Sequence, residues 1–234
     1  MIEPYWSDGK RTVYCGDARE IVPQLEPVDL VLTDPPYGIN YKGGGGGSLI
    51  HSKHHRQQEA ITGDSEPFDP SLVLQFRHVA LFGAQHYYAS LPAGGTFHIW
   101  DKRGEYEPVH TSDFDTIWVN RKEVGRKKRC VWRGLCREVE NRERILHPTQ
   151  KPLKIIHWVL GMFPDITSVI DPYMGSGTTL RAAKESGLHA IGIEIEERYC
   201  EIAARRLSQS SLFDTLADIE LSERDAGKGE IAGG

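Results

Sequence analysis

Ile166-Thr167-Ser168-Val169-Ile170-Asp171-Pro172-Tyr173-Met174-Gly175-Ser176-Gly177-Thr178-Thr179 is the stretch that decides the fold. Its apolar start, Ile166 to Ile170, has the length of a strand and stops at an aspartate and a proline. Two glycines follow within a turn, and Thr178 to Glu185 reads as a helix closed by Gly187. His189 to Ile193 is the next strand, ending at Glu194. Strand, glycine loop, helix, strand, acid is the grammar of a nucleotide-type cofactor site at the carboxyl edge of a parallel sheet. Gly175 and Gly177 let the backbone approach a ligand closely, and the helix N-terminus favours an anionic group. Glu194 is placed to accept hydrogen bonds from ribose hydroxyls. The loop lacks the third glycine of a dinucleotide fingerprint and the lysine of a P-loop.

Outward from this unit, Glu196 to Leu207 reads as a helix. On the other side, Lys151-Pro152 opens a stretch in which Ile155, Ile156, Val159, Leu160 and Phe163 recur at helical spacing, with proline in a tolerated first-turn position. Further strands are expected at Thr12 to Cys15, Val28 to Thr33, His78 to Gly83 and Gly95 to Trp100, with a short helix over Gln85 to Leu91. The fold class is therefore α/β, a mostly parallel Rossmann-like sheet with helices on both faces. Residues 1–208 form one domain, large enough to bury a full core. Within it, 41–69 contains the glycine run Gly43 to Gly47 and is expected to be a mobile loop. Residues 102–146 turn irregular, basic and aromatic, and read as an insertion. The tail, 209–234, is polar and acidic.

Hydrophobic content of 39% and charged content of 26% are ordinary for a globular chain of 234 residues. No apolar run has the length of a membrane span, and the start of the chain lacks a signal-peptide pattern, so no membrane contact and a cytoplasmic setting are expected. Cys15, Cys130, Cys136 and Cys200 contain no C-x-x-C pair, and His51, His54 and His55 have no supporting carboxylate or thiolate spacing; no metal is expected. Net charge is −5, yet Arg121, Lys122, Arg126, Lys127, Lys128, Arg129, Arg133 and Arg137 crowd one segment. They form either a stripe that tracks a phosphate backbone or a solvated charged face.

The strand Val28 to Thr33 runs into Asp34-Pro35-Pro36-Tyr37. Consecutive prolines force a turn and fix the direction of the Pro35 carbonyl. A carboxylate and a carbonyl accepting both N–H groups of an aromatic amine would reshape its nitrogen toward tetrahedral geometry and aim the lone pair at an electrophilic methyl group. Tyr37 offers a flat face for an extruded base.

Asp34 to Tyr37, His147-Pro148-Thr149-Gln150-Lys151-Pro152 and Asp171 to Thr179 together resemble the beta-class DNA amino methyltransferases. The tetrapeptide comes first and the cofactor loop last, the circularly permuted order of that class. Gly16-Asp17 is similar to the family's acidic position at the cofactor's adenine. Phe82-Gly83, Gly94-Gly95 and Trp100-Asp101-Lys102 look like small phage-type members. Tyr173 stands where many members have phenylalanine. The resemblance implies methyl transfer from S-adenosyl-L-methionine to adenine N6 in double-stranded DNA, with Asp34, Pro35, Pro36 and Tyr37 catalytic. Cofactor contacts fall on Asp17, Asp34, Thr149, Gln150, Lys151, Asp171, Tyr173, Gly175, Ser176, Gly177, Thr178 and Glu194. Thr149, Gln150 and Lys151 lie by that analogy near the methionine end. DNA contacts are expected at Lys122, Arg126, Lys127, Lys128, Arg129 and Arg133, with target choice in 102–146 and a short recognition sequence. Cytosine N4 is the nearest alternative acceptor; a catalytically silent DNA-binding protein is the more distant one. A homodimer is expected from the relatives. Gln209, Leu212 and Phe213 resemble the Q-x-x-L-F peptide that docks bacterial proteins on the sliding clamp, or else pack back on the core.

Overall fold

The computed structural model describes residues 2–40, 62–105, 112–133, 136–137, 146–147 and 149–209. The glycine run at 43–47, the histidines at 51, 54 and 55, Leu212 and Phe213 lie outside them, as do the side chains of Arg133 and Cys136. In chain order the strands are β1 (Trp6–Ser7), β2 (Arg11–Cys15), β3 (Leu30–Thr33), β4 (His78–Phe82), β5 (Thr96–Asp101) and β6 (Phe114–Val119). They continue as β7 (Lys127–Arg129), β8 (Trp132–Arg133), β9 (Cys136–Arg137), β10 (Ser168–Asp171) and β11 (His189–Glu194). The helices are α1 (Ala18–Ile21), α2 (Ser71–Leu74), α3 (Leu153–Leu160), α4 (Thr178–Glu185) and α5 (Glu197–Ser208).

Nine strands make one sheet in the order β1-β2-β11-β10-β3-β4-β6-β5-β7. The five from β2 to β4 in that order are mutually parallel. β6 runs antiparallel to β4 and β5, β7 is parallel to β5, and β1 is antiparallel to β2. The β10-α4-β11 unit proceeds to one side of the sheet and the β3-α2-β4 unit to the other. The boundary between β3 and β10 is therefore a topological switch point, where open α/β sheets form their ligand crevice.

Alternation along the buried strands divides the core in two. Leu30, Leu32, Ala80 and Phe82 pack on the face covered by α3, α4 and α5, through Ile155, Ile156, Val159, Leu180, Ala203 and Leu207. Val31, Val79 and Leu81 point to the opposite face, against Ala18, Ile21, Phe68 and Val73. Helices thus cover both faces, as the sequence implies. α4 ends in a Schellman arrangement: the Gly187 N–H donates to the Lys184 carbonyl at 3.1 Å and Leu188 to Ala183 at 2.9 Å, with Gly187 at φ +73°.

Three expectations change. Gln85 to Leu91 forms two 3-10 turns, Ala84–His86 and Tyr88–Ser90, in place of one helix, because the first is pinned to β6 by the Gln85 side chain. Pro152 is the residue capping α3, one position before its first turn. Most consequentially, 102–146 is not wholly an irregular insertion. Phe114–Val119 is a strand buried between β4 and β5, and only its first residue is exposed. Its length and apolar content are those of a core strand, but the polar Asp115 and Thr116 mask the pattern. No helix among the described residues is long and apolar enough to cross a membrane.

Candidate active site

Strand register places a row of functional groups along one edge of the sheet. Asp17 follows β2, Glu194 ends β11, Asp171 ends β10 and Asp34 follows β3. Gly83 follows β4. Because β6 runs the other way, its beginning lies at the same edge, and Asp115 faces Trp100 of β5, two residues before Lys102. The two sequence motifs, 137 residues apart at Asp34 and Asp171, thus occupy neighbouring strands. A hydrogen bond from the Thr33 hydroxyl to Asp171 Oδ1, 2.6 Å, ties the strands together.

On the β3 side, Asp34 is mostly shielded, with 17% of its side chain exposed. The Tyr37 hydroxyl donates to its Oδ1 and the Lys151 ammonium to its Oδ2. Burial pushes the carboxyl up from its ordinary range; Lys151 opposes that and nearby Asp115 adds to it. Lys151, expected near the methionine end of a cofactor, is therefore brought to the tetrapeptide. Its Nζ also lies 3.5 Å from the Tyr37 hydroxyl and 3.9 Å from Asp115 Oδ2. Tyr37, whose ring is expected to offer a flat face to a base, has His86 stacked on one side at 4.8 Å with 16° between planes. Gly83 makes room for that ring: at φ +66°, a Cβ there would fall 2.0 Å from the tyrosine. The turn is held from a distance by buried Asp64, whose Oδ1 accepts the Tyr37 and Gly38 N–H groups, each at 2.9 Å.

On the β10 and β11 side, Asp171 is turned inward. It is buried, accepts from Thr33 and the Tyr173 N–H, and is pushed up to about 6 by that burial. Glu194 accepts the Gly175 N–H at 3.0 Å and the Glu196 N–H at 2.9 Å, and burial raises its carboxyl too. Asp17 caps α1 and holds Arg19, with 25% of its side chain exposed. The loop glycines also have a packing reason. A Cβ on Gly177 would meet Ala203 of α5 at 2.8 Å, and one on Gly175 would crowd the His147 ring at 3.3 Å. Both glycines admit protein neighbours rather than open space. Ser176 and Thr178 are likewise buried, within reach of Arg206 from α5. Gln150 is buried and joins the segment to the loop, 3.4 Å from the Ser176 hydroxyl. Thr149 bonds His147, whose ring lies edge-on to Tyr199. Burial, with Lys151 and Arg198 nearby, lowers His147 to about 4. Tyr173 meets Phe68 edge-on at 5.8 Å.

These residues suit S-adenosylmethionine chemically. Glu194 and Asp17 stand at adjacent strand ends as acceptors for hydroxyl and amine donors, and α4 begins beside them with no side chain capping its N-terminal N–H groups.

The basic residues do not form one stripe. On β7, Lys127 and Arg129 point to one side and Lys128 to the other. Lys122, Arg126, Lys127 and Arg129 are all exposed, and Arg129 is paired with Asp101 and Glu105. The segment after β7 reaches the site, since Trp132 Nε1 donates to the Gln150 carbonyl at 3.0 Å. Sequence reasoning missed Asp64, His86, Asp115 and Lys102 as parts of the site. Each joins it through a contact 26 or more residues away or across strands, and no local spacing announces that.

A protein-family model described as DNA methylase matches residues 93–205. The Type II methyltransferase M2.DpnII of Streptococcus pneumoniae is 24% identical over 88% of this chain and 93% of its own length. The Type II methyltransferase M.HinfI of Haemophilus influenzae is 36% identical over 41% of this chain and 28% of its own. Among solved structures, the cytosine-N4-specific PvuII DNA methyltransferase matches with a TM-score of 0.58 at 15% identity, covering 90% of this chain and 91% of that one. M1.HpyAVI matches with a TM-score of 0.51 at 20% identity, covering 86% of this chain and all of that one. At such identities these structures speak for the fold alone. With the tetrapeptide and the glycine loop side by side on this sheet, residues 93–205 match the DNA methylase family, and the chain is similar to S-adenosylmethionine-dependent DNA methyltransferases.

Proposed function

We propose that this enzyme methylates the N6 amine of an adenine extruded from double-stranded DNA at a short target sequence. The observation that carries the reading is the placement of Asp34 and the glycine loop on adjacent strand ends, tied by the Thr33–Asp171 hydrogen bond. S-Adenosylmethionine, when bound, supplies a methyl group made electrophilic by its sulfonium. Asp34 accepts one N–H of the amine and the Pro35 carbonyl the other. That orients the nitrogen lone pair toward the methyl group; the methyl would pass to this nitrogen with its former bonding electrons left on sulfur, and Asp34 would take the N–H proton released. Catalysis is then positioning and electrostatics in a shielded pocket, without a covalent protein intermediate.

Tyr37 orients Asp34 through its hydroxyl and, with His86, forms the aromatic side of the pocket. Glu194 and Asp17 hold the ribose and adenine of the cofactor; Asp171, Gln150 and Ser176 act through the shape of the loop. Exposed Lys122, Arg126 and Lys127 contact phosphates. Residues 120–146 are the more restricted candidate for target recognition, since β6 belongs to the sheet. Cytosine N4 is the second reading, because its amine demands the same geometry; an aspartate leading the tetrapeptide favours adenine. Incubating plasmid DNA with enzyme and cofactor, then mapping modified bases by single-molecule sequencing, decides the matter. N6-methyladenine in one context is expected, and N4-methylcytosine would select the second reading.

A further inference from the structure

Asp34 must accept a target N–H, yet each of its oxygens already has a donor, Tyr37 on Oδ1 and Lys151 on Oδ2. An ammonium outcompetes a neutral amine for a carboxylate oxygen and weakens that oxygen as an acceptor. Each oxygen keeps a second lone pair, but beside an ammonium it is a poor acceptor, so the amine binds best once the lysine has moved away. Leaving is costly in a pocket where only 11% of the lysine side chain meets solvent, unless a second anion waits nearby. Asp115 is that anion. Its Oδ1 is fixed by the Gln85 side-chain amide and the Thr116 N–H, both at 3.1 Å, which leaves Oδ2 directed toward Lys151 at 3.9 Å. The carboxylate is itself 5% exposed, so an unpaired charge there would be unfavourable.

We propose that Asp115 is a positioning residue for methyl transfer, the alternate seat of the Lys151 ammonium, which moves from Asp34 to Asp115 when a target amine engages Asp34. The inference deepens the proposed function and rests on it. Lys102, just after β5 and partly buried, adds a second cation beside the cluster; burial disfavours its charge and Asp115 favours it. Two carboxylates and two ammonium groups are present with Lys151 in either seat, so the move changes no net buried charge. Departure of Lys151 also raises the basicity of Asp34 at the moment when the amine must lose a proton. The groups facing Asp34 are Tyr37 from its own turn, Lys151, Asp115 from β6, Lys102 from β5, Tyr87 and Asp171 from β10.

The test begins with the free protein. Carbon-13 NMR of the aspartate carboxyls, with Asp34 assigned through Asp34→Asn, follows its titration. Asp115→Asn removes a like charge and leaves Lys151 on Asp34, so the Asp34 titration moves to lower pH; Lys102→Met moves it to higher pH. In steady-state assays Asp115→Asn lowers kcat at least tenfold, with KM for cofactor within about twofold, and the acid limb of its pH profile moves down. Adding Lys151→Met to Asp115→Asn restores part of that loss, because the trapped lysine is gone. A packing role for Asp115 predicts an unmoved Asp34 titration and a double variant no faster than Asp115→Asn; either result overturns the proposal. If Asp115→Asn does not fold, the less buried Lys102→Met carries the same titration test. A wild-type enzyme that methylates no DNA would overturn the proposed function together with this inference, whereas methylation with an unmoved Asp34 overturns the inference alone.

Discussion

The two halves of the candidate site are built differently. The cofactor half, β10-loop-α4-β11, is a continuous run of 27 residues, 168–194, whose side chains mostly bind its own loop or α5. The target half gathers Asp34, Asp64, Gly83, His86, Lys102, Asp115 and Lys151 from separate parts of the chain. In the first half, the carboxylates lean on nearby backbone, Glu194 on Gly175 and Glu196 and Asp171 on Tyr173, with neutral side chains such as Thr33 adding to it. In the second, charges are satisfied by other charges brought from afar. A site of the first kind is held rigid by local geometry. One of the second kind has alternative pairings close in energy, and so can rearrange when a substrate amine arrives.

The sharpest way to break this comparison is Asp34→Asn. If the halves are independent, methyl transfer falls by about a hundred- to a thousandfold while cofactor affinity by calorimetry changes only a few-fold. A matching collapse of cofactor affinity would show that the halves form one unit. Gly83→Ala comes next. A methyl group 2.0 Å from Tyr37, on a backbone at φ +66°, forces the ring out of place. The overpacking costs about 1–3 kcal/mol by denaturant melts. Transfer falls more than stability if the loss is confined to the target half.

pH acts on the cofactor side through stability, by two groups of opposite sign. Asp171, raised to about 6, keeps its proton in the folded state, so this group's contribution to stability is lost as pH rises from about 4 through 6. His147, lowered to about 4, has the opposite sign over the same window: it must be neutral when folded, and its contribution grows as pH rises. Removing only the first, with Asp171→Asn, should raise stability relative to wild type by about 3 kcal/mol at most between pH 4 and pH 7. A pH-independent difference in paired urea melts would place Asp171 outside the shielded environment described. The smallest effect concerns DNA. Lys127→Ala should reduce the salt slope of binding by about one, whereas Arg129→Ala, already paired with Asp101 and Glu105, should change it less. Equal slopes would remove the distinction between free and paired basic residues.

Much of the fold was legible because its elements carry their own period. The apolar runs of β3, β4, β10 and β11 and the helical spacing of α3 appear in the sequence as they do in the sheet. β6 was not, because Asp115 and Thr116 are polar residues that the fold buries for the site. The tetrapeptide and the loop were legible as motifs, but the partners of Asp34 were not. Lys151 stood in a recognised hexapeptide and was placed with the cofactor, and only the fold brings its ammonium to Asp34, 117 residues away in the chain. That Gly177 also admits Ala203 was not legible, because α5 reaches the loop only in the fold.

By itself, then, the sequence determined the α/β class, the strand ends at which Asp34, Asp171 and Glu194 emerge, and the type of reaction, since local period and short motifs are properties of adjacent residues. Only the tertiary structure decided which charges share the pocket and which glycines serve packing. It also removed Phe114–Val119 from the insertion and set Asp115 beside Lys151. These depend on strand order and burial, where the energy of a charge is fixed by neighbours far away in the chain.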